Sequence, residues 1–241
     1  MKPIWTIAKR ELKSFFDSLV AYILLVVFLG VSGFFTWLFG SDVFFVGQAT
    51  MQPFFSIAYF TLFFFIPALT MRMLAEEKRS GTLELLLTKP ITDWSVVLGK
   101  FLAALLLICI ALLLTIPYYI TIWAIGPIDH GAVWCGYFGL ILMSMTFIAI
   151  GLFASSITNN QIVAFLLALF IGIFFLIIFN VLSNNFTGFI GETLSYLSLS
   201  THFDSISRGV IDSRDILYFI TITLFGLVLA ETSLSKRNIV E

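Results

Sequence analysis

The chain has 241 residues, of which 60% are hydrophobic and 11% are charged, with a mean hydropathy of +1.06 and a net charge of −1. A soluble domain is about 45–50% apolar and about 25% charged, so this chain could not cover itself with a wetted surface. The composition predicts an all-α integral membrane protein. The 28 Phe and the balanced charge exclude a disordered chain and a nucleic-acid binder.

The first 17 residues predict an amphipathic elbow helix that lies on the membrane. At about 100° per residue, apolar side chains that include Trp5 and Phe15 share one face, and the cations lie opposite. Glu11 falls inside the apolar arc. Its carboxylate is either exposed or in contact with a basic group between the second and third spans.

Six stretches with few or no charges are each long enough to cross a bilayer, which takes about 20 apolar residues. The uncharged stretch from 131 to 191 is too long for one crossing, and a polar break at 155–161 divides it in two. All six belong to one transmembrane domain covering 1–241. The predicted spans are 19–40, 54–73, 94–124, 131–154, 161–182 and 214–235.

The distribution of Lys and Arg predicts the orientation. Eleven of them flank one side of the predicted spans, whereas only Arg208 and Arg214 flank the other. Short cytoplasmic segments carry an excess of Lys and Arg. Both termini and the loop 74–93 between the second and third spans are therefore expected in the cytoplasm, and the segment 183–213 is expected outside.

The loop 74–93 concentrates charges in a chain that otherwise avoids them. Gly81 is predicted to act as an N-cap for a short apolar-faced helix over 82–88, with Glu84 near its positive end and Pro90 after it. Such a helix can dock into a groove on a soluble partner. The alternative is a charged loop that serves only to fix the topology.

The run EEKRSGTLELLLTKPITDWSVVLGK, from Glu76 to Lys100, resembles the segment after the second span of ABC-2 type permeases, the membrane subunits of ATP-driven exporters. In that family the segment forms a cytoplasmic coupling helix that contacts the ATPase. The resemblance implies an ATP-binding cassette subunit and a second permease half as partners, in the lipid of a bacterial inner membrane. The implied coupling residues are Glu76, Glu77, Arg79, Gly81, Thr82, Leu83, Glu84 and Pro90.

The segment from Ser198 to Asp215 is similar to one branch of that family, which includes the gliding-motility permease and the copper-maturation permease associated with nitrous oxide reductase. This similarity implies an exporter linked to gliding motility. We expect residues 183–213, called the cap, to be ordered, because its apolar side chains need burial. Asp204 could pair with Arg208. The candidate residues of the cap are His202, Phe203, Arg208 and Asp212.

The sequence lacks the G-x-x-x-x-G-K-[ST] loop that cradles phosphates, since Gly99-Lys100 is followed by Phe101. ATP and Mg are therefore expected on a partner chain, with no catalytic residue and no cofactor on this one. His130 and His202 lack neighbours at metal-ligand spacing, so no metal site is predicted. The alternative function is a membrane scaffold or channel subunit that ATP does not drive.

The predicted topology can be tested by thiol labelling. In intact cells, single cysteines introduced at 42, 129 and 204 should react with a membrane-impermeant reagent, because these positions are expected outside. Cysteines at 78 and 236 should react only after the cells are opened. Labelling at position 78 in intact cells would overturn the orientation.

Overall fold

A computed structural model of the chain describes residues 2–39, 43–82 and 92–235, and every regular element in these ranges is a helix. This confirms the all-α fold. A π-helical turn, Phe174–Ile178, joins the helix Gln161–Ile173 to the helix Phe179–Asn185. The helices are α1 (Lys2–Asp17), α2 (Leu19–Trp37), α3 (Val43–Val46), α4 (Gln52–Thr70), α5 (Ala75–Ser80), α6 (Asp93–Leu113), α7 (Ile116–Ile125), α8 (His130–Ser156), α9 (Gln161–Ile173), α10 (Phe179–Asn185), α11 (Phe189–Leu197), α12 (Leu199–Ser207) and α13 (Ser213–Ser235).

Within the described ranges, six helical stretches are long and apolar enough to cross a membrane, in the predicted order. They are α2, α4 with α5, α6 with α7, α8, α9 with α10, and α13. The third stretch, predicted as one helix, is interrupted at Leu114 and Thr115. Pro117 explains the break, because it has no N–H to donate to the carbonyl of Leu113.

Helix α8 is the centre of the bundle. It packs against α4, α6, α9, α12 and α13, and most of its residues are buried. Small residues allow close contacts, since a Cβ at Gly136 would overlap the ring of Phe55 and a Cβ at Gly151 would overlap Thr70. By contrast, α2, α9, α10 and α13 carry many exposed apolar side chains on the outside of the bundle.

The elbow helix α1 packs along α6. Part of the apolar face predicted to lie on the membrane is covered by α6, and Ile7 and Phe15 of that face are both buried. Gly99 makes the approach possible, because a Cβ at that position would lie 2.6 Å from Cγ2 of Ile7 and 3.2 Å from the carbonyl oxygen of Ile4. The opposite face of α1, which includes Lys9, is exposed.

The cap forms two short helices, α11 and α12, and its apolar side chains are buried only in part. Phe203 is buried against α4 and α8, as expected. Phe186, Phe189, Ile190 and Leu197 are exposed, with Phe189 at 83%, so the expectation of burial is wrong for these four. The reason is that α11 packs against α10 through its other face, where Gly191 lies.

The predicted ion pair in the cap does not form. Arg208 Nε donates to the backbone carbonyl of Asp204 at 3.0 Å, instead of to its carboxylate. Desolvation by the surrounding chain raises the pKa of the Asp204 carboxyl, and the positive charge of Arg208 opposes this effect.

The contact between α1 and α6 can be tested by filling the space at Gly99. The Gly99→Leu variant should lower the Tm of the purified protein by several degrees, because overpacking costs about 1–3 kcal/mol. Gly30→Leu is the matched control, since nothing lies within 4 Å of a Cβ at Gly30 in α2. Equal Tm values for the two variants would contradict the close packing of α1 on α6.

Candidate functional site

A serine of α8 holds the turn between α4 and α5. The hydroxyl of Ser155 accepts hydrogen bonds from the N–H groups of Leu74 at 3.1 Å and Ala75 at 3.0 Å, and it donates to the carbonyl of Met71 at 2.9 Å. The first N–H groups of a helix have no partner within the helix, and Ser155 satisfies two of them at the start of α5. The beginning of the loop 74–93 is thereby fixed to the end of α8.

The last carbonyl of α8 binds two further side chains. The backbone oxygen of Ser156 accepts hydrogen bonds from the ammonium of Lys78 in α5 and from the hydroxyl of Ser233 in α13, the latter at 3.1 Å. The carbonyls at a helix C-terminus lack helical partners and carry a partial negative charge, so a cation is favourable there. Helices α5 and α13 therefore meet at the end of α8.

A buried lysine joins three helices beside this turn. Lys100 lies in the second turn of α6 and is only 1% exposed. Its Nζ is 2.8 Å from Glu77 Oε1 in α5 and 3.3 Å from Glu11 Oε1 in α1. Burying an ion costs several kcal/mol unless it is paired, and here two carboxylates share one ammonium. These three residues, called the ion triad, line a polar cavity of about 390 Å³ between α1 and α5.

The ion triad decides between the two interpretations of Glu11. Its carboxylate is largely buried and contacts Lys100, a basic group that follows the second span. The burial of Lys100 was missed, because the residue was counted only as a cation that fixes topology. Helical spacing contains the signal: Val96 and Ala104, four residues before and after Lys100, are both fully buried on the same face of α6.

Gly81 ends a helix, so its predicted role as an N-cap is wrong. It follows the last residue of α5 with φ at +69°, and its N–H donates to the carbonyl of Lys78 at 3.3 Å. An N-cap residue has extended backbone, whereas a left-handed glycine is typical of the position after a helix C-terminus. The predicted coupling residues Leu83, Glu84 and Pro90 lie outside the described residues.

The remaining predicted coupling residues divide into an inward and an outward group. Glu77 is turned into the ion triad, whereas the side of α5 away from the bundle is exposed to solvent. The predicted elbow residues also divide: Phe15 is buried beneath the guanidinium of Arg72, and Trp5 is exposed. The exposed coupling residues are Glu76, Arg79, Gly81 and Thr82.

The cap residues lie near the other end of α8, away from the contacts that α8 makes with α5. Gly139 of α8 approaches Ile206 and Phe203 of α12. Gly139 is 16 residues before Ser155, or about 24 Å along a helix. Asp212 caps the start of α13, because its Oδ1 accepts a hydrogen bond from the N–H of Arg214 at 2.9 Å.

In the part of the chain that the structure describes, every regular element is a helix and six helical stretches are apolar and of spanning length, as in a multi-pass membrane protein. Residues 5–235 match the sequence pattern of a family described as ABC-2 family transporter protein. The match covers nearly the whole chain, and the chain therefore belongs to the ABC-2 transporter family.

Two curated proteins share weaker similarity with it. Both are named "Probable multidrug ABC transporter permease YbhR", one from Escherichia coli strain K12 and one from Escherichia coli O157:H7. Each is 27% identical over 142 residues, which is 56% of this chain and 37% of the relative. The chain thus spans little more than a third of the relatives it matches.

Removing the lysine of the ion triad should destabilise the protein more than removing either acid. Lys100→Met leaves two carboxylates close together without a cation, and breaking a buried pair costs about 3–5 kcal/mol. Glu11→Gln leaves Lys100 paired with Glu77, so it should cost less. Thermal unfolding of the purified variants measures this order. Lys9→Met, on the exposed face of α1, is the control and should change Tm little.

Proposed function

We propose that the chain is the transmembrane permease subunit of an ATP-driven ABC-2 type exporter in a bacterial inner membrane, with both termini in the cytoplasm. A separate ATP-binding cassette subunit binds ATP and Mg and hydrolyses the ATP. The observation that carries the proposal is the junction around α5, where Ser155, Ser156 and Lys100 fasten the start of the loop 74–93 to four other helices.

The junction around α5 is suited to transmitting force from the partner subunit to the membrane helices. The partner subunit contacts the exposed side of α5 and the residues that follow it, and it moves when ATP binds. Ser155 and Ser156 pass this movement to α8 and α13, while Lys100 passes it to α6 and α1. Packed helix interiors are stiff, so a displacement at α5 is transmitted as a rotation of whole helices and is not absorbed locally.

The exposed apolar sides of the outer helices support a second permease half beside this one, either an identical chain or a sister chain. Six spans are half of the usual complement of the family that the chain resembles. The similarity of the segment from Ser198 to Asp215 supports the branch linked to gliding motility. The competing function is a scaffold or channel subunit without an ATPase, for which the loop 74–93 serves only topology.

The coupling role can be tested at Gly81. Its φ of +69° strains a β-branched side chain, although no atom lies within 4 Å of a Cβ there. Gly81→Val should therefore change the direction of the chain after α5, whereas Gly81→Asn should keep it, because asparagine tolerates this conformation. The measurement is the amount of ATPase that co-purifies with the tagged permease, and its stimulation by the permease.

With Gly81→Val we expect most of the co-purified ATPase, or most of its stimulation by the permease, to be lost. With Gly81→Asn we expect both to be retained. Glu84→Lys should also lose the ATPase, because the substitution reverses the charge of the side chain that is proposed to contact the ATPase. A purely topogenic loop would tolerate Glu84→Lys, because the change adds positive charge on the cytoplasmic side. Unchanged ATPase retention and stimulation in both Gly81→Val and Glu84→Lys would leave the scaffold or channel function as the better explanation.

A further inference from the structure

His202 and Asp215 form a buried pair between the cap and the last span. His202 Nδ1 lies 2.6 Å from Asp215 Oδ1, and the two residues are 5% and 6% exposed. On its other side, His202 Nε2 lies 2.9 Å from the backbone oxygen of Tyr196. The imidazole is stacked on Tyr218 with 4.0 Å between ring centroids. A single side chain of α12 therefore contacts both α11 and α13.

Both contacts of the His202 ring nitrogens are satisfied as hydrogen bonds only when the pair holds two protons. The carbonyl of Tyr196 can only accept a hydrogen bond, so His202 Nε2 carries a hydrogen. The 2.6 Å contact with Asp215 needs a second hydrogen, held by Nδ1 or by the carboxyl oxygen. The two groups share that proton, and the pair holds two in either case. The face of Tyr218 favours a cationic ring.

Helix α8 brings no charged group to the ring of His202, and the charged neighbours lie on or beside α11, α12 and α13. Helix α8, which packs against α12, has no Asp, Glu, Lys or Arg between 131 and 156, and its titratable groups there are Cys135 and Tyr137. The π-helical turn contributes no titratable group. The other titratable or charged groups on neighbouring elements are Glu192 and Tyr196 of α11, Asp212 before α13, Arg214 and Tyr218 of α13, Tyr59 of α4, Asp204 of α12, and Arg208 after it.

We propose that the His202–Asp215 pair is a pH-sensitive clamp that holds the cap on the last span. When the pair loses one of its two protons, a nitrogen lone pair faces either the carboxylate of Asp215 or the carbonyl of Tyr196. Two acceptors repel each other in a buried site, so one of the two contacts breaks. The hydroxyl of Tyr218 donates a hydrogen bond to the carbonyl of Leu197, which also joins α13 to α11. This hydrogen bond weakens when the contact of His202 breaks.

The cap is therefore held at lower pH and loosens as the pH rises. This inference goes beyond the proposed function. It concerns groups within this chain alone, so it stands whether or not an ATPase binds to the loop 74–93.

The test measures the full chain in lipid nanodiscs from about pH 5 to about pH 9, a range that includes the interval of about pH 5 to 8 in which histidine ordinarily changes charge. Spectra of ¹⁵N-labelled histidine report the ring protons of His202, and the His130→Gln variant removes the only other histidine. Hydrogen–deuterium exchange of residues 189–207, corrected for the chemical exchange rate, reports the cap. The loss of the proton should coincide with a rise in exchange of about tenfold, equivalent to about 1.4 kcal/mol for one lost hydrogen bond.

Two variants separate the clamp from simple packing. In Asp215→Asn, the amide can donate to Nδ1 of a neutral imidazole while Nε2 still donates to Tyr196, so the cap should stay protected at every pH. In His202→Phe, the ring still stacks on Tyr218 but both hydrogen bonds are absent, so exchange should be fast at every pH.

The wild-type titration does not depend on either variant folding. Exchange of the cap that stays constant with pH would refute the clamp. A change in exchange at a pH where the His202 signals do not move would also refute it, as would a pH-dependent cap in Asp215→Asn.

Discussion

The structure depends on one buried ammonium. Lys100 is almost completely removed from solvent in a chain with few charges, and a lone buried ion is too costly to tolerate. Glu11 must approach from α1 and Glu77 from α5, so the elbow helix and the helix after the second span dock at one place on α6. The ion triad thus couples three segments that are far apart in the sequence.

Helix α8 connects the two regions that carry polar chemistry. It contains no Asp, Glu, Lys or Arg, so its contacts depend on glycines, on hydroxyls and on the carbonyls at its end. Ser155 and Ser156 hold α5 and α13 at one end, while Gly139 lies against α12 towards the other. In the proposed function, α8 is the stiff element that carries movement from the junction around α5 towards the cap.

The two buried ionic clusters are held together in different ways. The ion triad shares one lysine between two acids, one of which lies in α5. The His202–Asp215 pair is held by a hydrogen bond between the two side chains, and we propose that this pair responds to pH. Both tie a short helix to a long apolar one, α5 to α6 in the first case and α12 to α13 in the second.

The sequence alone determined the fold class, the number and order of the six apolar helices, and the resemblance to ABC-2 permeases, because hydrophobic length and charge exclusion are local properties of the chain. The partner of Glu11 stayed open, Lys100 was counted as a loop charge, and Gly81 was placed at the wrong end of a helix. Only the tertiary structure decided these points. The packing of distant helices decides which carboxylates contact Lys100. It also decides that Ser155 binds the turn after α4. No local sequence pattern predicts how distant helices pack.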